Sequence, residues 1–306
     1  MKTAIVISSL GRPHTLHETV EALARQTISP CAIVVSLCDA QSVLEETARL
    51  PLVCLTYGAK GLTKQRNHAL PELSGASEYV LFLDDDVELA TNYLESMEGL
   101  FGAQPEIALA SGAVCWADGP RLGRAVTRGE AVAAVAQHRC DNKIVESDGA
   151  YGCNMFVRRS LLQRERFDER LPLESWLEDY DFSVRCARHG RVVWNHATCV
   201  AHLGVQRGTR ERGFPVGYAQ IANSHYLWRK GVIPSWTRLL GAFWLPALRV
   251  SLQGTLHGKS PWKERFDYKG RLRGNVRALF DAARFRLKPE RILDFAEQRA
   301  ATDSAG

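Results

Sequence analysis

Three consecutive carboxylates, Asp84, Asp85 and Asp86, follow directly on the apolar run Tyr79-Val80-Leu81-Phe82-Leu83. A short continuous run of aliphatic and aromatic residues predicts a buried strand. Carboxylates crowded at its end repel one another and cost several kcal/mol if left dry and unpaired. A divalent cation with a bound phosphate would offset them, because a hard cation takes oxygen ligands and can bridge two phosphate oxygens. The spacing Asp84-x-Asp86 suits that grip. The plainer reading is an acidic loop at a strand end.

Two further constellations point the same way. Trp176-Leu177-Glu178-Asp179-Tyr180-Asp181-Phe182 reads as a helix start with three carboxylates in its first turn. The helix dipole alone favours acidic residues there. The functional reading is a general base that takes a proton from an acceptor hydroxyl. His202, in Val200-Ala201-His202-Leu203-Gly204, stands by a strand end, where a neutral imidazole can be a third metal ligand. Gly61-Leu62-Thr63-Lys64-Gln65-Arg66-Asn67 adds a glycine loop and two cations at a helix start, suited to a diphosphate or a base. Gly152-Cys153-Asn154 precedes another apolar run and reads equally well as turn chemistry.

The elements that must hold these groups alternate. Residues 4–8, 32–37, 52–55 and 79–83 read as strands, and 15–26, 43–50 and 64–70 as helices. That pattern predicts a parallel α/β sheet with helices on both faces, which binds ligands beyond the carboxyl ends of its strands. Asp39 and Asp84–Asp86 would both stand there. Farther on, 108–116, 153–158, 192–194 and 198–201 are strand-like. Residues 124–138 and 176–189 are helical, and the chain after 215 is helical and basic.

Composition bounds the class. With 306 residues, 45% hydrophobic and 24% charged, the chain has room for one large or two modest globular domains. The net charge of +5 hides an asymmetry: residues 1–202 carry 20 Lys and Arg against 26 Asp and Glu, and residues 203–306 carry 19 against 8. A basic C-terminal third suits an anionic partner such as a membrane surface, a lipid diphosphate or nucleic acid. Eight cysteines form no CxxC pair, which favours reduced, buried thiols in a cytoplasmic protein over a disulfide framework or a zinc site. The N-terminal apolar run is too short for a signal peptide. Leu239–Leu248 is apolar between Arg238 and Arg249, half the length of a membrane span, and reads as a core, lid or interfacial helix.

Taken in order, these segments resemble the family-2 glycosyltransferases of GT-A fold. Ile7-Ser8-Ser9-Leu10-Gly11-Arg12-Pro13 looks like that family's first strand and Arg-Pro loop. Gln26-Thr27 and Val34–Asp39 resemble its nucleotide-holding stretch, and Gly61–Asn67 its G-x-x-x-x-R-N segment. Leu83–Val87 resembles its DxD motif. Gly152–Leu162, Phe167–Leu171 and Glu178–Phe182 match its acceptor-side half. The resemblance covers residues 1–210. It implies a GT-A α/β/α sandwich with a mainly helical, basic extension at 211–306. Within the sandwich, 1–110 would hold the nucleotide sugar and 111–210 would face the acceptor.

The resemblance also implies roles. Ser8, Arg12, Asp39, Lys64, Arg66, Asn67, Asp84 and Asp85 would line the nucleotide-sugar pocket. Asp86 and His202 would hold Mg²⁺ or Mn²⁺, and Asp179 would be the base of an inverting transfer. Trp116, Asp118, Asn154, Trp176 and Glu178 are candidates for sugar and acceptor contacts, since aromatic faces and single polar groups suit sugars. The expected donor is a UDP- or dTDP-sugar, and the expected acceptor a glycan or lipid-linked saccharide of cell-surface polysaccharide synthesis. No nucleic-acid partner is expected, and the expected location is the cytoplasm, peripheral to the membrane. Gly11 stands where the family commonly has Asn, and Cys38 before Asp39 is unusual for it. Three rival readings are a haloacid-dehalogenase-like phosphatase, a sugar nucleotidyltransferase and a binding subunit without chemistry. The first is disfavoured by Glu88, where Thr or Val is wanted. The second lacks its Gly-rich, Arg-bearing loop at 8–13, and the third does not explain two intact acidic clusters.

Overall fold

A computed structural model of the protein describes residues 2–73, 75–115, 126–204, 213–256 and 267–295. Nine strands form one sheet. They are β1 (Thr3–Ser8), β2 (Ala32–Leu37), β3 (Val53–Tyr57), β4 (Tyr79–Asp84), β5 (Val87–Leu89), β6 (Ile107–Val114), β7 (Ile144–Glu146), β8 (Asn154–Arg158) and β9 (Arg191–His202). The order is β3-β2-β1-β4-β8-β6-β9-β5, with β7 also paired to β9. β1, β2, β3 and β4 run parallel, as their unbroken apolar runs predict. The sheet as a whole is mixed, not parallel: β8 enters antiparallel between β4 and β6, and β5 and β7 pair antiparallel with β9.

The central strands are buried on both faces because their side chains alternate. Ile5, Ile7, Leu81 and Leu83 point into one cluster. There they meet Leu16 and Val20 of α1 (Pro13–Ala22) and Tyr93, Met97 and Phe101 of α3 (Tyr93–Ala103). Ala4, Val6, Val80 and Phe82 point the other way. There they meet Ala69 of α2 (Leu62–Ala69) and Phe182 and Cys186 of α5 (Glu178–Cys186). A further helix, α4 (Arg128–Gln137), begins in a capping box made by Thr127 and Glu130.

Three expected elements differ in extent. The helix expected at 43–50 is a single turn, Glu45–Ala48. The one expected at 176–189 is confined to Glu178–Cys186, preceded by the left-handed residues Leu173, Ser175 and Leu177. The two strands expected at 192–194 and 198–201 are one strand, β9, whose polar middle Asn195-His196-Ala197 looks like a break. Its register with β6 jumps there, from Gly112 opposite Asn195 to Ala113 opposite Cys199. A bulge of this kind keeps a strand continuous across residues that do not fit the ladder.

The chain divides into two units. The sheet and its helices form the first, residues 1–119, 125–167 and 179–205. The second holds residues 120–124, 168–178 and 206–306. Its described helices are α6 (Gly213–Arg229), α7 (Leu245–Leu256), entered through a π-helical Leu239–Trp244, and α8 (Tyr268–Ala283). α6 and α8 touch backbone to backbone: a Cβ on Gly217 would stand 1.9 Å from the Arg271 carbonyl oxygen, and one on Gly274 2.2 Å from that of Phe214. Within this unit Asp168 accepts hydrogen bonds from Tyr226 (2.7 Å) and Lys230 (2.6 Å). Leu239, Trp244 and Ala247 are buried, whereas Leu245 and Leu256 are exposed. Among the described residues no helix is long and apolar enough to cross a membrane.

Candidate active site

β4 delivers the acidic triplet to the carboxyl edge of the sheet, and each carboxylate meets a different environment. Asp85 is fully buried and receives Ser9 Oγ and the Arg12 guanidinium, whose Nε lies 3.1 Å from its Oδ2. Burial pushes the Asp85 carboxyl up to about 7, against the pull of Arg12. Asp84 accepts from Arg66 Nη2 at 3.3 Å. Asp86, also buried, lies 3.3 Å from Arg12 Nη1 and 3.1 Å from His202 Nε2. Positive side chains of the protein thus answer much of the repulsion that the sequence posed.

The placement of His202 follows from strand pairing. β5 begins one residue after Asp86, Val87 stands opposite His202, and the Leu203 N–H donates to the Asp86 carbonyl at 2.9 Å. One carboxylate oxygen each of Asp84 and Asp86 and one ring nitrogen of His202 lie within 4.8 Å of one another. Two carboxylates and an imidazole suit Mg²⁺ or Mn²⁺, so this donor set fits a divalent cation.

Asp179 is held differently. Its oxygens accept from the backbone N–H groups of Gly152 (3.0 Å) and Tyr180 (2.8 Å), and no cation pairs with it among the described residues. Desolvation raises its pKa despite these two bonds, while Arg66 lowers it and Asp84 raises it more weakly. Those influences reach across one peptide strap: Arg66 Nη2 donates to the Gly152 carbonyl at 2.8 Å, and the Asp84 N–H to the Cys153 carbonyl at 3.2 Å. The strap joins the triplet to Asp179. Of the other carboxylates in this turn, Asp181 is buried against Arg185, 2.8 Å from its Nη2. Glu178 is buried as well, directly after the three left-handed residues, each of which costs roughly 1–2 kcal/mol.

The remaining sequence-predicted residues are spread more widely. Lys64 is half-buried in the first turn of α2 and has no ion-pair partner among the described residues. Asp39, after β2, accepts from Ser42 Oγ at 2.8 Å, and that oxygen accepts the Gly11 N–H at 2.9 Å, which ties two edge loops together. Ser8 Oγ is buried with no hydrogen-bond partner among the described residues, whereas its neighbour Ser9 bonds the triplet. Asn67 clamps the Phe167 backbone through both ends of its amide, at 2.8 and 2.9 Å. Asn154 is fully buried, accepting from Tyr93 Oη (2.9 Å) and the Gly112 N–H (2.8 Å). Trp176 is 44% exposed. Trp116 and Asp118 lie outside the described residues.

Sequence reasoning missed Ser9 and the Gly152 peptide, and it gave Arg12 to the nucleotide alone. A serine before a glycine loop carries no signal of its own, and a backbone N–H carries none at all. The need for a cation opposite Asp85 was visible, but its source was not.

The sequence matches the family described as Glycosyltransferase like family 2 over residues 2–212. No curated protein matches it. The fold is similar to the crystal structure of GalNAc-T7 with UDP, GalNAc and Mn²⁺, with a TM-score of 0.57 at 14% identity, over 90% of this chain and 54% of that one. It is also similar to S. aureus TarS 1-349, with a TM-score of 0.54 at 14% identity, over 97% of this chain and 92% of that one. The chain therefore spans about half the length of the GalNAc-T7 chain. At such identities the likeness speaks for the fold.

Proposed function

Because the chain belongs to the family described as Glycosyltransferase like family 2 and has the GT-A fold, we propose that it transfers a sugar with inversion, from a UDP- or dTDP-sugar to a hydroxyl of a glycan or lipid-linked saccharide. The observation that carries this reading is the contrast at the Gly152 strap. On one side stands a divalent-cation donor set, Asp84, Asp86 and His202. On the other stands Asp179, raised by burial and paired with no cation among the described residues.

Asp179 takes the proton of the acceptor hydroxyl. The hydroxyl oxygen then attacks the anomeric carbon from the face opposite the diphosphate, which leaves. Burial makes Asp179 a stronger base than an exposed carboxylate, and its two backbone N–H donors fix its orientation. Lys64, which has no ion-pair partner among the described residues, stands at a helix start and binds the diphosphate. Arg12 and Arg66 act on the carboxylates: they hold Asp84, Asp85 and Asp86 in place and lower the repulsion among them. A Mg²⁺ or Mn²⁺ ion held by Asp84, Asp86 and His202 would supply charge neutralisation at the leaving diphosphate. Asp39 is positioned at the strand edge for the base or ribose.

The domain assignment of this reading is a catalytic GT-A domain at 1–210 and a basic extension at 211–306. Its place is the cytoplasmic face of the membrane, where the extension meets anionic lipid, in cell-surface polysaccharide synthesis. Vesicles rich in anionic phospholipid should retain the protein at low salt and release it at high salt. Failure to bind at low salt rejects the peripheral assignment.

A thermal-shift screen of nucleotide sugars, with and without Mn²⁺, tests the donor. One nucleotide sugar should raise Tm only when the ion is present. Incubation of that donor with candidate acceptors should then release nucleoside diphosphate. Release of inorganic phosphate or pyrophosphate instead would reject the transferase reading.

A further inference from the structure

A second group of metal-type ligands lies in the first unit, away from the acidic triplet. The thiols of Cys115 and Cys199 and the imidazole of His138 place one ligand atom each within 4.8 Å of one another. The sheet brings the cysteines together. Ala113 of β6 stands opposite Cys199 of β9, and the Cys115 N–H donates to the Val200 carbonyl at 2.9 Å, so Cys115 continues β6 on the face of Cys199. Their sulfurs are 3.5 Å apart. The last turn of α4 closes over them: the Val135 carbonyl is 4.0 Å from Cys199 Sγ, and His138 directly follows that helix.

We infer that Cys115, His138 and Cys199 bind Zn²⁺ in a centre that staples the end of α4 to β6 and β9. A sulfur separation of 3.5 Å is far beyond a disulfide bond of about 2.0 Å. It is close to the roughly 3.8 Å between two sulfurs that each stand about 2.3 Å from one tetrahedral zinc ion.

The donor chemistry separates this centre from the first. Thiolates and imidazole select a borderline-soft cation such as Zn²⁺, whereas carboxylate oxygens suit Mg²⁺ and Mn²⁺. Two cations would thus sort themselves between the centres. The spacing 115, 138, 199 contains no CxxC pair, so the eight cysteines read as unrelated thiols until the fold is known. Cys153 and Cys186, by comparison, are buried among apolar residues of the two core clusters. Cys199 lies three residues before His202 on β9, so the staple also steadies the strand that carries a ligand of the first centre.

The test uses the full chain, purified under reducing conditions. Metal analysis should find one Zn²⁺ per chain that survives dialysis. After chelation, titrated Co²⁺ should give the thiolate-to-cobalt charge-transfer absorption and the intense ligand-field bands of a tetrahedral site. Both should vanish in Cys115→Ser and Cys199→Ser. They should weaken in His138→Ala, at a half-exposed position, which circular dichroism should report as folded. They should persist in Asp86→Asn. Absence of charge-transfer absorption in the reduced wild-type chain overturns the inference, as does unchanged absorption in a folded His138→Ala variant. A Cys115–Cys199 disulfide in freshly purified protein would overturn it as well.

Discussion

The triplet at 84–86 and the carboxylate at 179 face each other across the Gly152 strap, and they manage buried negative charge in opposite ways. The triplet is answered by full charges, Arg12 on Asp85 and Asp86 and Arg66 on Asp84, with the His202 ring beside Asp86. Asp179 accepts hydrogen bonds from two backbone N–H groups, and among the described residues no cation pairs with it. A carboxylate matched by cations is held fixed, which suits a ligand or a scaffold. One matched by dipoles, in a desolvated place, keeps its appetite for a proton. On the proposed function, binding falls to one side of the strap and proton transfer to the other.

The sharpest way to break this contrast is Asp179→Asn. Transfer should fall 10²–10⁴-fold while donor affinity, read by calorimetry, stays within a factor of about two. The same variant carries a stability signature. Because the folded pKa of Asp179 is raised, its contribution to stability is complete below the ordinary carboxylate range and is lost as pH rises through the folded value. Asn never ionises, so the variant's Tm advantage over wild type should grow as pH rises from acid to neutral. Near-normal transfer would end the base assignment, and a pH-independent Tm difference would end the desolvation argument.

Arg12→Ala probes the other side of the strap. It leaves a fully buried carboxylate uncompensated and should cost about 3–5 kcal/mol of stability in denaturant unfolding. Adding Asp85→Asn should restore most of that loss. If the double variant is no more stable than the single, Arg12 is not the counter-charge of the triplet. His202→Ala should weaken Mn²⁺ binding at least as much as loss of an outer-sphere partner does, about 10–100-fold, with little change in Tm without metal. Mn²⁺ affinity equal to that of wild type would remove His202 from the donor set. The mildest change is Lys64→Gln, which should raise the donor KM about tenfold with kcat nearly constant, the loss of one charge-assisted hydrogen bond. A drop in kcat at constant KM would move Lys64 from binding to chemistry.

Much of the nucleotide half was legible because its signals are local. An apolar run such as Tyr79–Leu83 reads locally as a buried strand, and it is β4; a glycine before Lys64 and Arg66 reads as a helix start, and Gly61 caps α2. What escaped depends on contacts remote in sequence. β8 reverses direction between β4 and β6, and nothing in Asn154–Arg158 says which neighbours it will have. Asn154 looked available for a sugar, yet Tyr93 and Gly112 enclose it, from positions it meets only through the sheet.

The sequence by itself determined the two-faced strands, the acidic residues at their ends and the polar and glycine punctuation between them, since these follow from periodicity and from single-residue chemistry. Tertiary structure alone decided which cation meets which carboxylate. It placed His202 beside Asp86 through the register of β5 on β9, and it gathered Cys115, His138 and Cys199 from three separate segments. Charge and ligation act over a few ångströms between atoms far apart along the chain, and only the closed sheet sets those distances.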